Sequence, residues 1–219
     1  VNRLALFDCD GTLVDSQHNI CAAMEECFAA AGLAAPARER TRSVVGLSLV
    51  EAMRAMLPDA EAELHASLAE RYKSAFHAMR ARGAVDEPLF DGVAALIDRL
   101  DTDGWLLGVA TGKSDRGLAL CLEGHGLAGR FVTLQTADRH PSKPHPSMIE
   151  TAMAEAGAAP ETTVMIGDTS FDMAMARAAG ATAIGVAWGY HDADELRRAG
   201  AQYVAEHPHD IIDLVRAFA

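Results

Sequence analysis

The sequence predicts an α/β protein: a doubly wound, Rossmann-like parallel sheet interrupted by one small all-helical insertion. Three observations carry this expectation. From about residue 91 onward, short continuous apolar runs alternate with amphipathic helical stretches, as in a parallel sheet covered by helices on both faces. One further apolar run stands alone at residues 4–7, far from the others. Between them, residues 16–82 show helical periodicity and no strand signal. The 219 residues suffice for one large α/β domain carrying such an insertion.

Residues 4–7 end at Asp8-Cys9-Asp10-Gly11, which suits a buried strand presenting carboxylates at its C-terminal end. In the insertion, Ile20, Ala23, Met24, Cys27 and Phe28 fall on one helical face, and Leu64, Leu68, Tyr72 and Phe76 on another. Asp91-Gly92 opens an amphipathic helix through Leu100, and Gly104 stops it. Strands follow at 105–110, 131–134, 164–166 and 181–186, with helices at 116–123, 146–156 and 172–179. The expected division is a core of residues 1–15 and 83–219 and a helical unit of residues 16–82. There is no internal repeat and no low-complexity tract.

Half of the residues are hydrophobic and 23% charged, the composition of a globular chain. Nineteen basic against 31 acidic residues give a net charge of −12, a balance that repels nucleic acid and anionic membranes. It also repels phosphorylated ligands, so a phosphate site must bring its own positive charge. Cys9, Cys21, Cys27 and Cys121 form no CxxC pair or zinc spacing, which favours free thiols, a reducing compartment and a cytoplasmic location. Cys21 and Cys27, six apart, are not helical neighbours and suit packing rather than bridging. The N-terminal apolar run is too short for a signal peptide, and no run approaches the roughly 20 residues of a membrane span.

Reactive residues follow the predicted strands. Asp8 and Asp10 follow the first and Thr111-Gly112 the second; Lys143 precedes the helix at 146, and Asp168 and Asp172 follow the strand at 164–166. In a parallel sheet these ends converge on one edge. Clustered carboxylates need a counter-charge, and oxygen donors around an open position suit Mg²⁺. Asp8 is the candidate nucleophile, because a carboxylate is anionic at neutral pH without a base. Asp10, two residues on, points the same way in extended geometry and suits general acid–base work. Thr111 and the Gly112 N–H suit a phosphoryl cradle, to which Lys143 adds a point charge.

The runs Asp8-Cys9-Asp10-Gly11-Thr12-Leu13-Val14-Asp15-Ser16, Ala110-Thr111-Gly112-Lys113, Ser142-Lys143-Pro144-His145-Pro146 and Gly167-Asp168-Thr169-Ser170-Phe171-Asp172 resemble, in order and spacing, the four motifs of haloacid dehalogenase superfamily phosphatases. The resemblance implies that the helical insertion is a small cap that closes over the site. It implies Mg²⁺ held by Asp8, the Asp10 backbone carbonyl and Asp168, with Asp172 supporting the metal or Lys143. An aspartate at position 10 resembles the phosphatases and phosphomutases rather than the carbon–halogen hydrolases, and Thr12 favours the phosphatases. Thr136-Ala137-Asp138 and the cap segment Val45-Gly46-Leu47 resemble phosphoglycolate phosphatases. Cys9 departs mildly from the larger apolar residue usual there.

Taken singly, each feature has a plainer explanation. Asp-x-Asp-Gly occurs in surface turns, Lys143 suits a solvated loop, and Asp172 suits a helix cap. The scattered histidines, His140, His145 and His191 among them, suit solvated or capping positions. Arg42 and Arg54 in the insertion are candidate partners for a substrate carboxylate. The function expected is Mg²⁺-dependent hydrolysis of a small phosphorylated metabolite, 2-phosphoglycolate being one candidate, through a phosphoaspartate. The alternatives are a phosphomutase or pyrophosphatase on the same fold, or a non-enzymatic phosphoreceiver or binding protein. Expected partners are the metabolite and at most a second copy of the chain (monomer or homodimer), with no nucleic acid and no membrane.

Overall fold

The structure, a computed structural model, describes residues 1–216; the expected end of the core at 219 lies outside the described residues. Six parallel strands form one sheet: β1 (Asn2–Phe7), β2 (Leu106–Thr111), β3 (Thr133–Thr136), β4 (Ala158–Gly167), β5 (Thr182–Val186) and β6 (Tyr203–Ala205). Their order is β3-β2-β1-β4-β5-β6, so the chain starts in the middle and winds outward in both directions. Side chains alternate across the sheet. Phe7, Val109, Val164, Ile166 and Ile184 pack on one face, and Leu4, Leu6, Met165 and Ala183 on the other.

Both faces are covered. Helices α5 (Val93–Thr102), α6 (Asp115–Gly124), α7 (Ser147–Ala156), α8 (Ser170–Ala178), α9 (Ala193–Ala199) and α10 (Pro208–Arg216) connect or flank the strands. Leu96, Ile97 and Leu100 of α5 join the first core, and Met148, Ile149 and Ala152 of α7 the second. Between β1 and β2 stand α1 (Gln17–Ala30), α2 (Arg38–Arg42), α3 (Leu49–Met56) and α4 (Ala62–Ala81). Of these, α1, α3 and α4 share a separate core of Met24, Cys27, Phe28, Met53, Leu68 and Tyr72. The face expected on α1 is the one it buries.

Several boundaries differ from the sequence expectation. The strand expected at 131–134 forms at Thr133–Thr136; Phe131 is buried in the core from the preceding loop, while Val132 is 55% exposed. β4 runs ten residues instead of three, with a register irregularity where it leaves the centre of the sheet. α8 starts two residues earlier than expected, because Thr169 and Asp172 form a capping box at its N-terminus. α9, β6 and α10 were not anticipated: β6 has three residues, below the length at which alternation is legible. Among the described residues no helix is long and apolar enough to cross a membrane, and all four cysteines are free and buried.

Candidate active site

β2, β1 and β4 are neighbours in the sheet, so their C-terminal ends bring Thr111, Asp8 and Asp168 to one edge. The Asp8 N–H completes the β1–β4 ladder by donating to the Ile166 carbonyl at 2.9 Å. Its Oδ1 accepts from the Cys9 N–H at 2.6 Å. Its Oδ2 lies 3.1 Å from Lys143 Nζ as an ion pair, but outside hydrogen-bond geometry, and so is buried without a hydrogen-bond donor.

Oxygens of Asp8, Asp168 and Asp172 lie within 4.8 Å of one another, and all three residues are buried. Asp168 Oδ1 accepts from the Thr12 hydroxyl at 2.9 Å and its Oδ2 from the Tyr190 N–H at 2.9 Å. Asp172 Oδ1 accepts from Lys143 Nζ at 2.6 Å, and its Oδ2 from the Thr169 hydroxyl and N–H. Lys143 is the only cation ion-paired with this group among the described residues.

Three carboxylates against one ammonium leave an excess of negative charge away from water. Burial pushes the Asp8 carboxyl up to about 7 against the pull of Lys143, with Asp172 and Asp10 adding to the rise. Burial, then Asp8 and Asp172, likewise raise Asp168 well above the usual carboxylate range. Burial alone would lower the Lys143 ammonium, but Asp172 and Asp8 outweigh it and keep the group protonated.

This donor set fits a hard divalent cation: oxygen ligands, surplus negative charge and an orphaned buried oxygen on Asp8. The backbone keeps the group tight. A Cβ on Gly11, whose φ is +83°, would stand 2.1 Å from Asp168 Oδ2, and a Cβ on Gly189 would stand 2.1 Å from Asp168 Cβ.

Asp10 turns elsewhere. Its carboxylate accepts a short hydrogen bond from the Ser16 hydroxyl and pairs with Lys113 Nζ at 2.8 Å. Lys113 also meets Glu87 at 2.8 Å, and Glu87 meets Arg80 at 3.0 Å. Burial opposes the Lys113 charge, yet Asp10 and Glu87 beside it hold its pKa well above the ordinary value. The Tyr190 hydroxyl lies 3.2 Å from Ser16 Oγ, closing the network.

A cavity of about 470 Å³ opens between the sheet edge and the helical insertion, with Asp8, Asp10, Thr111, Gly112 and Lys113 on its floor. Thr111 Oγ1 accepts from the Lys113 N–H at 3.2 Å. Gly112 underlies the insertion so closely that a Cβ there would stand 2.7 Å from the Gly46 carbonyl oxygen. Asp8 is therefore the carboxylate that belongs both to the buried group and to the cavity.

Of the residues singled out from sequence, Asp8, Lys143, Asp168 and Asp172 come together beneath the cavity, and Asp10, Thr111 and Gly112 line it. The Asp10 side chain stands apart from the carboxylate group, facing Lys113. Arg42 and Arg54 do not line the cavity: Arg42 bonds Gln17 and Glu39, and Arg54 Nη1 donates to both carboxylate oxygens of Glu51. Arg54 is exposed on α3 and held by Glu51 three residues before it, whereas Arg42 is half-buried on α2 and reaches Gln17 of α1 as well as Glu39.

Sequence reasoning missed Thr12, Ser16, Glu87, Lys113 and Tyr190 as members of the network. Lys113 carried a signal, following Thr111-Gly112 directly; Tyr190 carried none, since it arrives from the loop after β5. Cys9 and Cys121, far apart in sequence, lie 3.8 Å apart at their sulfurs.

Residues 5–186 match the model of the family described as haloacid dehalogenase-like hydrolase. The chain is 34% identical over 220 residues to a Dickeya dadantii protein named "Probable phosphatase IndB", covering 98% of this chain and 94% of that one. It is 31% identical to a phosphoglycolate phosphatase of Xylella fastidiosa, with coverages of 94% and 90%. Its fold is similar to the crystal structure of a hydrolase from Pseudomonas syringae, with a TM-score of 0.87, 26% identity and complete coverage of both chains. With the four motifs meeting at one sheet edge and the family model spanning most of the sequence, this chain belongs to the haloacid dehalogenase-like hydrolases.

Proposed function

We propose that the protein is a Mg²⁺-dependent phosphatase that hydrolyses a phosphate monoester of a small metabolite through a phosphoaspartate on Asp8. The observation that carries this reading is the position of Asp8. It is the carboxylate shared by the buried acidic group and the cavity, and it has an oxygen with no hydrogen-bond donor.

Asp8 and Asp168, with the Asp10 backbone carbonyl, would hold Mg²⁺, and Asp172 would support them and Lys143. When bound, Mg²⁺ supplies the positive charge that lets a phosphoryl dianion approach an anionic nucleophile.

The chain's own groups do the rest. An Asp8 oxygen attacks phosphorus, forming the acyl phosphate as the bond to the leaving oxygen breaks. Asp10, oriented by Ser16 and Lys113, is the acid–base group: in its protonated form it gives a proton to that oxygen, and as the carboxylate it then takes one from the water that attacks the phosphoaspartate, which releases phosphate and the Asp8 carboxylate. Lys143, the Thr111 hydroxyl and the Gly112 N–H hold the phosphoryl oxygens, whose charge grows in the transition state. We read residues 1–15 and 83–219 as the catalytic core and residues 16–82 as a cap that excludes water.

The test is phosphate release from a generic aryl phosphate with and without Mg²⁺, native chain against Asp8→Asn. Mg²⁺-dependent turnover abolished by the substitution is the expected result. Turnover retained by Asp8→Asn would rule out the phosphoaspartate. The name of the Xylella relative makes 2-phosphoglycolate the reference substrate.

A further inference from the structure

Much of the cavity's lining is apolar and comes from the helical insertion: Met24, Val45, Leu49, Tyr72 and Phe76, joined by Leu120 from the core. Tyr72 and Phe76, one turn apart on α4, have ring centroids 6.0 Å apart, so an aromatic surface faces the site. Two of the cations that line the cavity, Lys113 and Arg80, are paired before any ligand arrives. Asp10 and Glu87 pair with Lys113 and Arg80, two of each sign. The Phe76 ring lies 5.9 Å from Lys113 Nζ and 5.7 Å from the Arg80 guanidinium, which occupies those cations further. The other cations on the cavity, Lys73 and Arg116, are exposed; Lys73 is paired with Glu70, and Arg116 has no ion pair among the described residues.

A two-carbon phosphorylated acid is a poor match for such a space. Even at about 30 Å³ per non-hydrogen atom, the share of a whole water molecule, its nine atoms would fill about 270 Å³. The cavity holds about 470 Å³, so the remaining water would lie against apolar walls, and the one cation left unpaired on the cavity, Arg116, is exposed, where water already screens its charge.

Resting on the phosphatase reading above, we propose that the preferred substrate is a phosphate monoester of an uncharged, largely apolar alcohol with the bulk of an aromatic ring. Its phosphoryl group lies at Asp8 and its ring against Tyr72 and Phe76. Burying that ring favours the bound state in proportion to its area, whereas a second carboxylate loses hydration and finds only the solvent-screened Arg116 unpaired.

The experiment compares ethyl phosphate, 2-phenylethyl phosphate and 2-phosphoglycolate with Mg²⁺. The first two are esters of primary alkanols, so their difference reports fit to the cavity rather than leaving-group acidity. We expect kcat/KM for the phenylethyl ester to exceed that for the ethyl ester by on the order of 100-fold, and Phe76→Ala to narrow that ratio about tenfold. Equal kcat/KM for the two, or a preference for 2-phosphoglycolate, would overturn the proposal and leave the phosphatase reading standing.

Calorimetry on Asp8→Asn with Mg²⁺ separates the two readings. If the native chain turns nothing over but this variant binds the phenylethyl ester far more tightly than the ethyl ester, the cavity assignment holds and the hydrolytic reading fails. Equal or undetectable binding of both by a folded variant, without turnover by the native chain, would overturn the cavity assignment as well.

Discussion

Replacing Lys143 by methionine removes the ammonium that faces the buried carboxylates while keeping most of the side-chain volume. Its Nζ lies 2.6 Å from Asp172 and 3.1 Å from Asp8, with all three residues buried. Truncating one partner of a buried ion pair costs about 3–5 kcal/mol, because the charge left behind has no compensation. For a chain of this size each kcal/mol shifts Tm by about 2–4 °C, so the variant should melt roughly 6–20 °C below the native protein at pH 8.

The pH dependence follows from Asp8, which burial raises from an ordinary 3.8 to about 7. A carboxyl raised in the folded state favours folding most below its unfolded pKa, and that contribution is lost as pH climbs through the folded value. Removing Lys143, which opposes the rise, deepens the loss above pH 7 and matters less at pH 5, where Asp8 is already protonated. Thermal unfolding of the metal-free proteins at both pH values is the assay, and Lys143→Met with Asp172→Asn should recover part of the loss. Equal melting at pH 8 would refute the claim that this lysine neutralises the site. A gap that did not narrow at pH 5 would assign the effect to packing instead of charge.

Asp8→Asn should release no phosphate and yet leave the metal-free protein as stable as the native one at pH 8, or more so. Burial, with Asp172 and Asp10 beside it, raises Asp8 to about 7, so its charged form is disfavoured at pH 8, and calorimetric unfolding of the two proteins checks the comparison. Mg²⁺ should raise the native Tm more at pH 8 than at pH 5.5, since raised Asp8 and Asp168 carboxyls bind protons in competition with the ion; a pair of thermal scans checks this. Gly189→Ala places a methyl 2.1 Å from Asp168 Cβ, which should cost about 1–3 kcal/mol and shrink that Mg²⁺-dependent shift. Gly112→Ala, with its Cβ 2.7 Å from the Gly46 carbonyl oxygen, should displace the 46–47 segment and raise KM more than it lowers folding stability, as steady-state kinetics beside a melting curve would show.

What the sequence determined by itself is the sheet and the meeting of its strand ends. Apolar runs ending in Asp8, Thr111-Gly112 and Asp168 place those residues at the C-terminal edge of a parallel sheet whatever the loops do, because side-chain alternation and crossover geometry leave little freedom. The separate core of α1, α3 and α4 was legible in part for a like reason: Met24, Cys27 and Phe28 on one helix and Leu68 on another fall at helical spacing with their neighbours, and they are buried together.

Tertiary structure decided which polar groups pair, and with whom. Extended geometry points Asp10 the same way as Asp8, but packing turns its carboxylate to Ser16 and Lys113 and ties it through Glu87 to Arg80 at the end of the helical insertion. The loop carrying Gly189 and Tyr190 closes over Asp168 from beyond β5, and no local pattern announces a backbone N–H as a carboxylate's partner. Arg42 and Arg54 show the converse, since charge alone marked them while helix orientation turned them away from the cavity. Periodicity records which face of an element is buried; the distances that set charge and specificity arise only when separate elements pack against one another.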